Sequence, residues 1–241
     1  MWENKEKKYE RENNLQLNMV RKGNVLIISG GTIDGDWLKE WLCHNEIGYC
    51  IAADKGLETA YRYNIPVDYI LGDYDSIDRN VLDAYRNNTD MVTYNPEKDY
   101  TDTHLALKKG IEVIKTTGYI EDICLYVAGA TGTRLDHTLT NIYVLSEALQ
   151  AGVKAFMIDK YNKIYIEDKT FIINKKSQYG DFVSFIPMTE EVRLSISGMK
   201  YNLDNFLLNQ GSSICQSNEI TEKEAVISIV KGRLIVIESR D

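Results

Sequence analysis

Apolar and polar positions follow two different rhythms along this chain. From residue 24 to residue 158, short β-branched runs are separated by segments whose apolar residues recur every three or four positions. Asn24-Val25-Leu26-Ile27-Ile28-Ser29 reads as a buried strand, and Trp37, Leu38, Trp41 and Leu42 then fall at helical spacing. Residues 49–53 form a second apolar run, followed by a helical pattern through Leu57, Ala60 and Tyr61. Tyr69-Ile70-Leu71 and Met91-Val92-Thr93-Tyr94 are two further strands, with a helix through Val81, Leu82 and Tyr85 between them. Leu107, Ile111 and Ile114 mark another helix, with Asp99 or Thr101 as its N-cap candidate. Residues 123–128 are a fifth strand, and the helix after it has Leu135, Leu139, Ile142 and Leu149 on its expected apolar face. Strands alternating with helices predict an α/β domain with a mostly parallel sheet. After a strand at 153–158 the texture changes. Apolar runs at 163–166, 170–173, 182–186, 192–196, 225–230 and 234–237 are broken only by Gly or polar turns, which predicts a small all-β sandwich domain. Three parts are therefore expected: a flexible extension over residues 1–22, an α/β domain over 23–158 and a β-sandwich over 159–241.

Composition narrows the class without naming a function. With 44% hydrophobic and 27% charged residues, the 241-residue chain reads as an ordinary globular protein. A net charge of −8 leaves no basic surplus for nucleic acid, so a polyanionic ligand would need local cations or a metal. The four cysteines contain no C-x-x-C pair, which argues against a zinc or redox site. A charged N-terminus and the lack of a membrane-length apolar run predict no signal peptide, no membrane partner and a cytoplasmic setting.

The candidate chemistry collects where strands end. Gly72-Asp73-Tyr74-Asp75-Ser76 follows the third strand, and residues two apart in an extended chain point the same way. Asp73 and Asp75 are expected to project together, and two such carboxylates repel by roughly 1–4 kcal/mol unless a cation lies between them. Hard oxygen ligands suit Mg2+. Gly30-Gly31 closes the first strand and Asp54-Lys55-Gly56 the second, while neither a G-x-G-x-x-G nor a P-loop pattern is present. Asp99 and Asp102 stand one turn apart at a helix start, where capping and the helix dipole already favour acids. Gly129-Ala130-Thr131-Gly132 leads into Arg134, a fork for phosphate oxygens, with Asp136 able to orient it. His137 lines up with Arg134 and Asn141, but a lone helical His is more often structural, so it is not assigned as a base. In the β-rich part, Ser217-Asn218-Glu219 interrupts the apolar pattern, and Asn can read a heterocycle's polar edge. Ligands of open α/β sheets gather at the carboxyl ends of strands, which is where the clusters of the α/β part fall.

Taken in order, these stretches resemble the thiamine pyrophosphokinase (thiamine diphosphokinase) family over the chain beyond residue 22. The resemblance rests on Gly30-Gly31, Ala53-Asp54-Lys55-Gly56, Gly72 to Ser76, Lys98-Asp99-Tyr100-Thr101-Asp102, Gly129 to Gly132 with Arg134 to His137, and in the β part Gly198 to Tyr201 and Ser217 to Glu219. Lys55 and Thr133 stand where the family usually has Gly. The resemblance implies transfer of the diphosphoryl group of ATP to the hydroxyl of thiamine, giving thiamine diphosphate and AMP. It further implies Mg2+ and a homodimer with shared active sites. Asp73, Asp75 and Asp102 are assigned to metal and catalysis, with Arg134 as a fixed catalytic cation. Gly31, Asp54, Ser76, Asp99, Thr101, Arg134 and Asp136 are assigned to the nucleotide, and Ser217 and Asn218 to thiamine, from the partner subunit.

Other readings of the same residues remain open at this point. A diphosphokinase for a hydroxymethyl-pterin would use the same α/β part, a Mg2+-dependent phosphohydrolase would use Asp73 as nucleophile, and a thiamine sensor would not turn over.

Overall fold

Every strand of the α/β part whose flanks are both covered reads as a continuous apolar run, and the computed structural model shows why. It describes residues 21–75, 77–85, 89–93, 100–119 and 121–241. Residues 1–20 of the expected extension, and Ser76, Lys98 and Asp99 among the candidate residues, lie outside that set. The chain divides into two units, the first ending at Ala155 and the second running Phe156–Asp241.

In the first unit, β1 (Asn24–Ile28) leads to α1 (Gly35–His44), β2 (Ile47–Ala53), α2 (Gly56–Arg62) and β3 (Tyr69–Gly72). Then come α3 (Arg79–Tyr85), β4 (Asp90–Thr93), α4 (Asp102–Thr117), β5 (Cys124–Ala128) and α5 (Leu135–Gln150), with β6 (Lys154–Ile158) carrying the chain across the division. The sheet runs β4-β3-β2-β1-β5, and the β4–β3, β3–β2, β2–β1 and β1–β5 pairs are parallel. Helices cover such a sheet, so its strands are buried on both faces: Val25, Leu26, Ile27 and Ile28 are all inside. α4 crosses from β4 to β5, packing on β1, β2 and β3 through Ala106, Leu107, Gly110, Ile111 and Ile114. Gly110 lets α4 sit close to β5, since a Cβ there would lie 2.5 Å from Leu125 Cδ1 and would have to displace that side chain.

The winding matters for function. The chain moves outward from β1 through β2 and β3 to β4, then returns to place β5 on the other side of β1. The loops after β1 and β5 therefore diverge, leaving a crevice at the switch point where such sheets bind ligands.

Of the two N-cap candidates for α4, Thr101 caps it, its side chain accepting the His104 N–H at 3.3 Å. One local expectation needs correction. On α5 the buried face is Asn141, Ile142, Leu145 and Ala148, while Leu135 and Leu139 are exposed. Apolar spacing alone could not separate two candidate faces on a helix that is apolar on both.

The second unit is antiparallel. β6 turns into β7 (Asn162–Glu167), which pairs with β13 (Leu234–Ser239), and β13 pairs with β9 (Phe182–Pro187). The facing sheet runs β11 (Leu203–Asn209), β10 (Glu191–Ser197), β12 (Glu224–Lys231) and β8 (Phe171–Asn174). Strict alternation in β9 and β10 puts Val183, Phe185, Val192, Leu194 and Ile196 into one shared core with Ile227, Leu234 and Val236. β11 was not expected, because Asp204 and Asn205 interrupt it and Leu208 is the one residue of this edge strand that is buried. Buried Glu238 is satisfied by Lys163 Nζ at 3.1 Å and the Tyr179 N–H at 2.6 Å.

Candidate active site

Where the β1 and β5 loops diverge, a cavity of about 670 Å3 opens at the carboxyl ends of the parallel strands. Its floor is backbone. The Gly31 N–H donates to Gly129 O at 2.8 Å, and a Cβ at Gly31 would lie 2.3 Å from that oxygen, so only glycine lets the two loops touch. Gly129 itself has φ 72°, the left-handed conformation glycine adopts at little cost. Gly31 thus uses its N–H to join two loops. Ser29, at the end of β1, shares a 2.5 Å hydroxyl–hydroxyl bond with Thr103, which ties the sheet edge to the first turn of α4.

Around that floor the structure gathers Asp54, Asp73, Thr101, Asp102 and Arg134. Asp54 is held at the end of β2 with φ 49°, its N–H donating to Leu71 O at 3.0 Å across to β3. A left-handed non-glycine residue costs roughly 1–2 kcal/mol, and strain of this kind collects at functional rims. Thr101 and Asp102 begin α4, while Gly129 to Arg134 precede α5, so two helix N-termini, the positive ends of the helix dipoles, open on one cavity. Asn141, almost buried, donates from Nδ2 to Ala130 O at 2.9 Å and so holds the loop before α5.

Two of the expected site residues stand apart from this cavity's wall. Asp75 is exposed and not part of it: β3 ends at Gly72, Tyr74 turns left-handed at φ 61°, and the Asp75 N–H donates to Asp73 Oδ1 at 3.2 Å. The extended-chain premise for pairing Asp73 with Asp75 fails because the chain turns immediately after the strand. Asp136 is also outside the wall, forming a two-pronged contact with Arg134, Nη2 to Oδ2 at 2.6 Å and Nε to Oδ1 at 3.3 Å. That hydrogen bond holds the Asp136 carboxyl below the usual carboxylate range and raises the Arg134 guanidinium.

In the second unit, Asn218 is only 1% exposed, and its side chain is engaged with its own fold. Oδ1 accepts the N–H groups of Tyr201 and Glu219, each at 3.0 Å, and Nδ2 donates to Tyr201 O at 2.9 Å. Ser217, exposed, sits left-handed at φ 50°, with its N–H on Ser184 Oγ at 3.0 Å.

Residues 42–157 match the thiamin pyrophosphokinase catalytic domain, and residues 169–234 match the thiamin pyrophosphokinase vitamin B1 binding domain. A thiamine pyrophosphokinase from Bacillus subtilis is 34% identical over 193 residues, spanning 79% of this chain and 87% of its own length. The chain belongs to the thiamine pyrophosphokinase family. Its activity is that of a thiamine diphosphokinase, with ATP as donor. A crystal structure of thiamine pyrophosphokinase from Bacillus subtilis is similar with a TM-score of 0.79 at 31% identity, covering 90% of this chain and 99% of that one. One from Geobacillus thermodenitrificans gives 0.76 at 26% identity, covering 90% and 97%.

For a diphosphokinase the donor set can be tested against Mg2+. This ion keeps several waters and takes one or two carboxylates together with substrate phosphates. Asp73 and Asp102 both line the cavity and could supply those carboxylates, and among the described residues no group of three or more His, Cys, Asp or Glu could hold an ion by protein ligands alone. Sequence reasoning missed Ser29, Tyr100, Thr103, Thr131 and Thr138 as cavity residues. Ser29 is the polar residue closing an apolar run just before Gly30-Gly31, and Tyr100 and Thr131 lie inside stretches that carry the family resemblance without being singled out there.

Proposed function

We propose that ATP lies in the cavity of the α/β unit, its phosphates between the α4 and α5 N-termini, and that thiamine diphosphate and AMP form there. The observation that carries this reading is that Asp73, Asp102 and Arg134 line a single cavity on which two helix N-termini open. Phosphoryl transfer asks a protein mainly for positioning and charge neutralisation. The thiamine hydroxyl oxygen bonds to the β-phosphorus, the bond from that phosphorus to the oxygen shared with the α-phosphate breaks, and AMP leaves with that electron pair. Asp102, at the mouth of α4, receives the hydroxyl proton. Arg134 stays a cation throughout and faces the charge that builds on the transferred group. Asp73 and Asp102 would hold Mg2+, which supplies charge neutralisation on the phosphate oxygens. Asp54, Thr101 and the Gly129 to Gly132 loop line the nucleotide's place. The family resemblance also assigns Ser76, Asp99 and Asp136 to the nucleotide; it assigns Asp75 to the metal, a role this reading does not use because Asp75 stands outside the cavity wall.

Thiamine would be held by the β unit of a second copy, with Ser217 presenting its hydroxyl and Asn218 holding the turn. A homodimer is supported by the exposed apolar stripe Leu135, Leu139 and Tyr143, which recurs every four residues along α5, the helix that opens on the cavity. A coupled AMP-release assay tests the reading. AMP should appear only when thiamine, ATP and Mg2+ are all present. Release with a hydroxymethyl-pterin but not thiamine, or phosphate release without an acceptor, would overturn it. Sedimentation should give twice the chain mass.

A further inference from the structure

One wall of the cavity is an aromatic ring with its own support. Tyr100 stands one residue before the Thr101 N-cap, lines the cavity and is 44% exposed. His104 and Lys108 follow one and two turns into α4, on the same helix face. The His104 ring meets the Tyr100 ring edge-to-face, with centroids 4.8 Å apart and planes at 81°. Lys108 Nζ lies 3.9 Å from the centre of the Tyr100 ring, a cation–π contact. Glu147, from the far end of α5, bonds His104 Nε2 through Oε1 at 2.7 Å and approaches Lys108 Nζ through Oε2 at 3.9 Å. One carboxylate on α5 thus fixes both groups that grip the tyrosine on α4.

We propose that Tyr100 is the surface against which the purine base of the nucleotide packs, and that His104, Lys108 and Glu147 are positioning residues that hold its ring. The inference rests on the placement of ATP in this cavity argued above and adds the group that selects the base. Two features favour a purine over the other heterocycle of the reaction. A flat neutral base gains packing area on a ring that is already immobilised, so it spends little ordering entropy. The thiazolium of thiamine is a cation, and the electron-rich face it would seek is already shared with the Lys108 ammonium.

Titration calorimetry of the full chain with Mg2+, using ADP and inorganic tripolyphosphate as separate probes, tests this. Tyr100→Leu should weaken ADP about tenfold, the scale of one base–aromatic contact, and leave tripolyphosphate unchanged. Tyr100→Phe should restore ADP, because the ring and not the hydroxyl makes the contact. In turnover, Tyr100→Leu and, more weakly, Glu147→Ala should raise KM for ATP while kcat and KM for thiamine stay put. Equal weakening of both probes, a rise in KM for thiamine, or unchanged ADP binding would each overturn the proposal. Arg134→Ala separates the two layers of argument. If it weakens both probes while Tyr100→Leu weakens neither, ATP is in the cavity and only the role of Tyr100 fails. If neither variant alters ADP binding, the cavity is not the nucleotide site and both fail.

Discussion

At the carboxyl ends of β1, β2, β3 and β5, polar side chains line a cavity; at the Ser217-Asn218 turn, the larger polar side chain is turned into the fold. The first region is built where separate segments meet. Two loops touch at the Gly31–Gly129 contact, the N-termini of α4 and α5 open on the same cavity, and Asp73, Asp102 and Arg134 line it. The second region meets its own hydrogen-bonding needs internally. Asn218 makes three hydrogen bonds to the backbone of Tyr201 and Glu219 and is 1% exposed. Similar polar motifs therefore do opposite work: one lines a cavity with charged side chains, the other keeps a left-handed turn in shape while Ser217 stays exposed.

The sharpest test of the first half compares two carboxylates two residues apart. Asp73→Asn should lower kcat/KM by on the order of 10³, the scale of losing one charged partner of a transferring phosphoryl group. Asp75→Asn, outside the cavity wall, should cost far less. Equal losses would show that the loop after β3 rearranges when substrate binds. Steady-state kinetics with circular dichroism as a folding control reads both.

A smaller effect tests the second half. Asn218→Ala removes bonds to buried or half-buried backbone groups and should destabilise the chain by about 1–3 kcal/mol, seen as a lower Tm. Ser217→Ala should leave Tm unchanged and raise KM for thiamine. An Asn218→Ala chain with normal Tm but weakened thiamine binding would reverse the roles given to the two residues.

The smallest effect concerns the Arg134–Asp136 pair, exposed to solvent. Arg134 holds the Asp136 carboxyl below its ordinary range, so the charged form is favoured in the folded chain. Whatever stability the pair adds is present above the unfolded carboxyl's pKa of about 3.9 and is lost as pH falls through the lower folded value. The Tm difference between the wild type and Asp136→Asn should therefore shrink as pH falls below about 4; His137 Nε2, 3.9 Å from Asp136 Oδ2, is the other charged neighbour of that carboxylate. A difference that changes near neutrality would mean another group controls the pair.

Several site residues are legible in the sequence because they are local devices. A strand that must end at a tight, ligand-facing turn needs Gly30-Gly31 or Gly72, and a helix start shows as Thr101-Asp102. These signals are written within a few residues of one another. Tyr100, Ser29 and Thr103 are not legible in that way. Ser29 and Thr103 are 74 residues apart, and Tyr100 becomes a fixed wall only because Glu147 reaches His104 and Lys108 from another helix.

Local patterning in the chain already dictates the alternation of strands and helices, the change to antiparallel texture near residue 158 and the carboxylate-bearing turns at strand ends. Each of these follows from periodicity and backbone chemistry over a few neighbouring positions. Which of those turns share a cavity is settled by tertiary packing. It admits Asp73, leaves Asp75 and Asp136 outside, buries Asn218 and selects which face of α5 is inside. Strand order and helix crossing bring distant segments together. Whether a polar group then meets a ligand or a neighbour depends on which hydrogen bonds those segments have already supplied.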